Sequence, residues 1–273
     1  MRSRLILFVA GLLFAESDSA LANDAPARVV SLDYCADQFV LKLLPRSRIL
    51  AVSPDADKHF SYMRETAIGI QQVRPLAEDV LSMGPDLVVT SYGGGPNAAT
   101  FFERAGVPVL QVPIANDIEG IRQSIMEVAI GLGDPEKGRK IVRKMNARLA
   151  AIPLSDNRRT VLYLTPTGVT SGPGTLIDEM ILVAGHRNFE QRDGWHSIPL
   201  ERLVYARPDI VVGAFFDDNA NHAGFWSAMR HPLARRQMQG LPTVMLQGAW
   251  TSCGGWFLLD AIEALAAVGS EVI

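Results

Sequence analysis

The feature that most constrains the fold is a segment that occurs twice. Residues 75–89 have the sequence PLAEDVLSMGPDLVV, and residues 199–212 have the sequence PLERLVYARPDIVV. In each copy a glutamate, Glu78 or Glu201, stands seven residues before a Pro-Asp pair, and a branched apolar run follows at once. Because a proline disfavours helical structure in the residue before it, each copy predicts a short helix followed by a buried strand. The repeat therefore predicts a chain built of two similar halves.

Short apolar runs alternate with helical segments along both halves. The predicted strands are residues 28–32, 49–52, 87–90 and 107–112 in the first half and residues 161–164, 210–212 and 243–246 in the second. Strands that alternate with helices form parallel sheets that are covered on both faces. The sequence therefore predicts an α/β fold of two Rossmann-like lobes, each with a parallel sheet flanked by helices.

A stiff connection is predicted between the two halves. Residues 134–151 carry apolar side chains at helical spacing, Asp134 suits an N-cap, and Pro135 suits the first helical position. We therefore expect an N-terminal lobe at 23–133, one long connecting helix at 134–151 and a C-terminal lobe at 152–273.

Residues 1–22 have the pattern of a secretory signal peptide. Arg2 and Arg4 precede an apolar run over residues 5–14, and Ala-Leu-Ala at 20–22 matches the small residues that signal peptidase accepts. The apolar run is too short to cross the ~30 Å hydrocarbon core of a membrane. Cleavage near Ala22 is expected to leave a soluble protein in an oxidising compartment, the periplasm.

Charge and motif patterns argue against several classes of function. With 26 basic and 29 acidic residues, the net charge of −3 predicts no nucleic-acid-binding surface. None of the five histidines is paired at helical spacing, so we expect no protein metal site. The glycines at 93–95 lack the Lys-Ser/Thr of a phosphate loop, and no Gly-x-Ser-x-Gly elbow surrounds Ser31 or Ser171. We expect neither a catalytic residue nor a cofactor.

The order of these elements resembles the periplasmic substrate-binding proteins of ABC importers for iron-siderophores, haem and cobalamin. The resemblance rests on residues 28–32 and 49–53, on both copies of the repeat, and on residues 185–189. Proteins of this family have two α/β lobes joined by one long helix and hold their ligand in the cleft between the lobes. The resemblance implies a monomeric receptor, not an enzyme, that delivers a small-molecule metal chelate to a permease in the inner membrane.

The resemblance also implies a role for the repeated glutamates. Glu78 and Glu201, one in each lobe, would dock onto basic residues of the ABC importer permease. The alternative is that both are ordinary first-turn acids, which the positive end of a helix dipole favours.

Ligand-contacting residues are expected at the carboxyl ends of the strands, where ligands of open α/β sheets bind. The first choices are Asp33, Tyr34, Tyr92, Phe216 and Trp250, followed by Trp195 and Trp226. Aromatic rings at this edge can stack against a large planar ligand, although partial packing in the core is the alternative for each of them. His59, Arg64 and Arg74 either recognise an acidic chelate or are solvated surface groups.

The expected ligand is a ferric siderophore, and cobalamin or haem is the second candidate within the same fold. His196 could bind haem iron, but a lone histidine is more often structural. A direct receptor for a divalent metal and an exported α/β hydrolase are the rival interpretations.

Cys35 and Cys253 are the only cysteines of the chain, and each follows a predicted strand at the edge of the cleft. In an oxidising compartment an even pair usually forms a disulfide, which here would tie the lobes together. Two buried thiols, or two soft metal donors that face the ligand, are the alternatives.

Overall fold

The computed structural model describes residues 25–153, 158–214 and 231–270. The predicted signal peptide with its cleavage site, and the predicted cleft residues Phe216 and Trp226, lie outside the described residues. No helix in the described ranges is long and apolar enough to cross a membrane.

The N-terminal half alternates strands and helices. Its elements are β1 (Val29–Ser31), α1 (Tyr34–Leu43), a 3₁₀ turn (Arg46–Arg48), β2 (Ile49–Ala51), α2 (Arg64–Ala67), α3 (Ala77–Ser82), β3 (Leu87–Thr90), α4 (Ala98–Arg104), β4 (Val109–Gln111) and α5 (Ile118–Gly131). The strands form one parallel sheet in the order β2-β1-β3-β4.

The C-terminal half follows α6 (Pro135–Ala150) and repeats the arrangement. Its elements are β5 (Thr160–Leu164), β6 (Val169–Ser171), α7 (Leu176–Val183), β7 (Arg187–Asn188), β8 (Trp195–Ser197), α8 (Leu200–Tyr205), β9 (Ile210–Ala214), α9 (Pro232–Met238), β10 (Thr243–Leu246), α10 (Gly248–Thr251) and α11 (Leu258–Ser270). A parallel sheet has the order β10-β9-β5-β7, and β6 pairs with β8 in a separate two-stranded antiparallel sheet.

The predicted α/β class with two similar lobes is confirmed. The central strands β3 and β9 are buried along their whole length, as expected for strands that helices cover on both faces. Sequence analysis did not predict β6, β7 and β8, because each of these segments contains at most one apolar residue and so lacks the apolar run that marks a buried strand.

The repeated Pro-Asp pair has the same physical role in both lobes. Asp86 accepts hydrogen bonds from the backbone N–H groups of Ala27 and Arg28, just before β1. Asp209 accepts from the backbone N–H and the hydroxyl of Thr160, where β5 begins. Each aspartate therefore fixes its own strand against the first strand of its lobe, since β3 pairs with β1 and β9 pairs with β5.

The long helix α6 lies within the predicted connecting segment. The carboxylate of Asp134 accepts from the backbone N–H of Lys137 at 2.9 Å, which is the expected N-cap bond. Gly138 lets α6 approach α5 closely, because a Cβ atom at this position would lie 2.6 Å from the Cβ of Ala129. The helix is thus held tightly on the N-terminal lobe before it reaches the C-terminal one.

One hydrophobic core continues through both lobes. At the boundary between them, the ring of Phe39 meets Trp256 edge-to-face at 5.7 Å. Tyr62 stacks on Phe257 with ring centroids 4.8 Å apart. The inner walls of the two lobes are therefore packed against each other, and the cleft opens where the loops after the strands meet.

Candidate ligand cleft

The loop after β1 and the loop after β3 are joined by one carboxylate. Oδ2 of Asp33 accepts hydrogen bonds from the backbone N–H groups of Ser91, Tyr92 and Gly93 at 2.7–3.0 Å. Its Oδ1 accepts from the N–H of Ala36, which caps α1. Asp33 is only 4% exposed. The sequence predicts that Asp33 contacts the ligand, but in the structure its oxygens accept hydrogen bonds from the chain itself and position the neighbouring loop.

The glycine run is explained by the same close approach. A Cβ on Gly93 would lie 2.6 Å from the carbonyl oxygen of Leu32, closer than real Cβ contacts occur. Gly94 and Gly95 have φ values of 82° and 81°, a region that favours glycine. The run therefore allows a tight turn against the end of β1, and it leaves Tyr92 at the surface of the cleft.

An aromatic platform forms on the N-terminal side of the cleft. The ring of Tyr34 meets Phe60 edge-to-face at 5.1 Å and Tyr92 at 5.8 Å. His59 extends the row, with its ring 5.1 Å from that of Phe60. Tyr92 is 58% exposed, so its ring remains accessible. The structure thus brings together Tyr34 and Tyr92, as the strand-end argument predicts, and adds Phe60, whose loop position gave no signal in the sequence.

The two phenols of this platform stay protonated at physiological pH. Burial raises the pKa of Tyr34, although its hydrogen bond with Tyr92 acts in the opposite direction. Burial, followed by the proximity of Tyr34, raises the pKa of Tyr92. Asp33 and Asp55 add to both shifts. The pair therefore offers neutral hydroxyl groups and aromatic faces to a ligand.

The C-terminal side of the cleft contributes two tryptophans that differ in exposure. Trp250 in α10 is half-buried against the core. Trp195 on β8 is 54% exposed, and its ring lies 6.2 Å from that of the buried Tyr163. Burial raises the pKa of Tyr163. Trp195, a second choice from the sequence, is therefore the more accessible ring.

A disulfide joins the two lobes beside this platform. Cys35 and Cys253 are bonded, with Cα atoms 5.6 Å apart. The adjacent Ser252 donates its hydroxyl to the carbonyl of Phe60 at 3.1 Å, a second bond between the lobes. Neither sulfur is available as a free thiol or as a soft metal donor. Because Cys35 follows Tyr34 and Cys253 lies three residues after Trp250, the disulfide holds the two aromatic sides of the cleft at one edge.

A second polar link between the lobes was not predicted. The hydroxyl of Tyr62 donates to Oδ2 of Asp260 at 2.8 Å, and Arg148 of α6 donates to Oδ1 at 2.6 Å. Arg148 also binds both carboxylate oxygens of Glu263 at 2.7 Å. Burial and the bond to Asp260 raise the pKa of Tyr62 to about 12. The chain positions of these residues carry no motif, so only the packing of α6 on α11 reveals them.

The two repeated glutamates occupy equivalent positions. Glu78 lies in the first turn of α3 and Glu201 in the first turn of α8, and both are exposed. Among the described residues, neither carboxylate forms an ion pair within 4.0 Å. Their geometry suits contact with a partner protein, and it also suits plain stabilisation of the helix dipole.

The predicted basic residues divide into two groups. Arg74 forms an ion pair with Asp79 at 2.8 Å, and His196 is bonded through its ring to the carbonyl of Asp193 at 2.6 Å. Arg64 is half-buried beside the aromatic platform; its guanidinium contacts the carbonyl of His59 and pairs loosely with the exposed Glu65 at 3.6 Å. Arg64 is therefore better placed for a cleft ligand than Arg74. The described part of the chain contains no group of three His, Cys, Asp or Glu residues that could hold a metal ion.

Several solved structures share this fold. The periplasmic haem-binding protein HutB of Vibrio cholerae is 17% identical, with a TM-score of 0.75 over 88% of this chain and 98% of that one. The periplasmic vitamin B12-binding protein BtuF of Vibrio cholerae is 16% identical, with a TM-score of 0.62 over 90% and 99%. A protein of an ABC-type Fe3+-hydroxamate transport system from Saccharomonospora viridis DSM 43017 is 17% identical, with a TM-score of 0.64 over 90% and 93%.

The sequence comparison agrees with the structural one. No curated protein matches the sequence. The model of a family described as periplasmic binding protein matches residues 29–224, which is most of the chain and includes both copies of the repeat. The chain belongs to the periplasmic binding protein family.

Proposed function

We propose that the chain is the periplasmic receptor of an ABC importer and that it binds a ferric siderophore in the cleft between its lobes. The observation that carries this proposal is the aromatic platform of Tyr34, Phe60 and Tyr92, which Asp33 holds at the carboxyl ends of β1 and β3. A cleft lined by aromatic faces and a few directed polar groups is typical of sites for organic ligands.

The chemistry of the platform suits a chelate better than a bare metal ion. The protonated hydroxyls of Tyr34 and Tyr92 can donate hydrogen bonds to the metal-bound oxygens of a hydroxamate or catecholate, and their rings can pack on its organic frame. Arg64 would add a positive charge next to an anionic chelate. The ligand is bound and released unchanged, so this function requires no catalytic group.

Haem is the second candidate, because of one specific observation. The phenol of Tyr92, a residue that is 58% exposed, lies beside the phenol of Tyr34, and a hard ferric iron binds such oxygen donors. Proteins described as haem-binding are also among the structures with this fold, HutB being one of them. A porphyrin ring would stack on the same platform. The two candidates differ at Tyr92: its hydroxyl would donate a hydrogen bond to a siderophore, whereas its oxygen would bind the iron of haem.

Ligand titration tests the proposal. The mature protein is titrated with a ferric hydroxamate, a ferric catecholate, haemin and cyanocobalamin, and quenching of tryptophan fluorescence is recorded. We expect tight binding of one ferric siderophore and at least tenfold weaker binding in Tyr92→Ala, whereas Tyr92→Phe should retain most of the affinity. Tyr205→Ala is the matched control, because Tyr205 is 90% exposed on α8.

Other outcomes of these measurements would support another ligand or another function. Haemin binding with a Soret band that Tyr92→Phe abolishes would favour haem over a siderophore. Turnover of chromogenic esters would indicate the hydrolase. Failure to bind any of the four ligands would contradict the proposed ligand class, and mass spectrometry of protein purified from the periplasm would then identify what it carries.

A further inference from the structure

A cavity of about 390 Å3 lies outside the cleft, between α1, α6 and α11. We call it the lysine pocket, after the side chains that line it: Lys42, Lys137, Lys140 and Lys144 around an apolar floor that includes Ile141 and Trp256. Lys42 stands eight residues after Tyr34 on α1, so the pocket lies about 12 Å from the cleft along the helix axis. It is therefore a separate site.

The lysines of the chain are concentrated at this pocket. Only five of the 26 basic residues of the chain are lysines, and four of those five line the pocket. The fifth, Lys58, is paired with Asp57 at 3.3 Å. An ammonium is a compact point charge on a flexible stem, and several of them can gather around one phosphate group without the planar geometry of a guanidinium.

The positive charge of the pocket is not neutralised. Among the described residues, no carboxylate forms an ion pair with any of its four lysines. Lys137 donates to the carbonyl of Leu43 at 2.9 Å, and the ammonium of Lys42 lies 5.4 Å from the ring centroid of Trp256. Neither the carbonyl nor the ring carries a net charge.

The pKa of Lys42 reflects the charges of its neighbouring lysines. Burial is the main reason why its pKa is lowered, and the charges of Lys144 and Lys137 add to the effect. The neighbouring Arg148 differs, because Asp260 and Glu263 neutralise it. The acids that α11 presents are therefore already engaged, and an anion from outside would relieve the repulsion.

We infer that the lysine pocket binds an anion that carries one or more phosphate groups. Its volume falls in the range of sites for small molecules, and its apolar floor strengthens charge interactions by excluding water. Two sources share this chemistry: a free phosphorylated small molecule and the headgroup of an anionic phospholipid. The inference concerns a site apart from the cleft and does not depend on the identity of the cleft ligand.

The first test follows the five lysines individually. The mature protein is labelled with lysine carrying 13C at Cε, which gives one signal per lysine, and inorganic pyrophosphate is titrated in. We expect the signals of Lys42, Lys137, Lys140 and Lys144 to move along one binding curve, while Lys58 stays in place. Added salt should weaken the binding, because screening reduces the attraction.

Variants and vesicles complete the test. Lys42→Gln with Lys144→Gln should weaken pyrophosphate binding at least tenfold, Lys42→Arg with Lys144→Arg should retain it within threefold, and Lys58→Gln should leave it unchanged. Co-sedimentation with vesicles of phosphatidylglycerol, compared with phosphatidylcholine, examines the lipid source with the same variants. Binding of pyrophosphate alone supports a soluble ligand, and charge-dependent binding of phosphatidylglycerol vesicles alone supports a headgroup.

Two results would overturn the inference. One is the absence of binding to both pyrophosphate and the vesicles. The other is a uniform response, in which Lys58 moves with the four pocket lysines or Lys58→Gln weakens binding as much as the double glutamine variant. The labelled native protein decides between these outcomes even if a variant folds poorly.

Discussion

The two lobes share one strand arrangement but differ in the partners of their buried acidic side chains. In the N-terminal lobe, Asp37 is fully buried and accepts hydrogen bonds from the N–H and the hydroxyl of Ser53. It forms no ion pair within the described part of the chain, and burial raises its pKa to about 7. In the C-terminal lobe, Glu190 is 2% exposed, but Arg192 pairs with it at 2.9 Å. Burial acts to raise the pKa of Glu190, and the bonds from Arg192 and the backbone outweigh it and lower the pKa.

The loops at the cleft show the same contrast. Asp33 alone gathers three consecutive backbone N–H groups of the loop after β3. In the C-terminal lobe a neutral amide at the end of the edge strand β7 joins separate segments: Asn188 donates to the carbonyl of Ser171 at 2.8 Å and to Asp178 at 2.9 Å. The N-terminal lobe thus joins its loops here through a single charged group, and the C-terminal lobe joins its segments through a neutral amide.

Separating the lobes should have the largest effect. Cys35→Ser with Cys253→Ser removes a crosslink between residues 218 positions apart. In the chain-entropy model such a crosslink contributes roughly 5 kcal/mol to the free energy of unfolding, because it restricts the unfolded chain. We expect the Tm to fall by several degrees, measured by circular dichroism.

Reductant gives the control for this variant. It should lower the Tm of the native protein to that of the double serine variant and leave the variant itself unchanged. Equal Tm values for the oxidised native protein and the variant would contradict a stabilising crosslink.

The next largest effect is expected from replacing Asp33, and Asn188 is the comparison in the other lobe. Asp33→Ala leaves several backbone N–H groups without their acceptor, so we expect a loss of about 3 kcal/mol in the free energy of unfolding and weaker ligand binding. Asn188→Ala should cost about 1 kcal/mol, because the bonds that it removes involve one neutral amide. Urea unfolding of both variants measures the difference, and equal losses would show that the lobes do not differ in this respect.

The sequence predicted β1 to β5, β9 and β10, because each of these strands contains a run of neighbouring apolar residues. It also placed Tyr34 and Tyr92 at one edge, since parallel strands end together. The role of Asp33 was missed because its partners lie about sixty residues away and use their backbone, which carries no side-chain signal. The lysine pocket was missed for a similar reason: Lys42 joins the lysines of α6 only when α1 packs beside that helix.

The buried acids should respond to pH in opposite ways. Because the pKa of Asp37 rises on folding from 3.8 to about 7, the folded state holds a proton that the unfolded state releases between these values. Its contribution to stability is therefore complete below pH 4 and is lost as the pH rises to 7. Between pH 5 and pH 8 the native protein should lose ~2 kcal/mol relative to Asp37→Asn.

Glu190 gives the matched comparison. Its pKa is lowered on folding, so its contribution is present above its unfolded pKa and is lost as the pH falls through the folded value. Glu190→Gln should leave the slope between pH 5 and pH 8 unchanged and reduce the loss of stability in acid. Urea unfolding at several pH values measures both slopes. A native slope near neutral pH that Asp37→Asn does not change would contradict the assignment.

The smallest effect on the isolated protein is expected where the lobes are most alike. Glu78 and Glu201 are exposed first-turn acids, so replacing either with alanine should change the free energy of unfolding by less than about 1 kcal/mol and leave ligand affinity unchanged. If both dock onto the permease, each single variant should lower ligand uptake in cells to a similar degree, and the double variant should lower it further. Exposed ion pairs are screened, so the difference in transport between the native protein and the variants should shrink as the salt concentration rises, when transport is measured in reconstituted vesicles. Glu103→Ala, which removes an exposed acid on α4, is the control for a general effect of charge. Normal transport by the double variant would leave both glutamates as plain helix-stabilising acids, whereas a loss from one site only would show that the lobes differ at the permease as they do in the cleft.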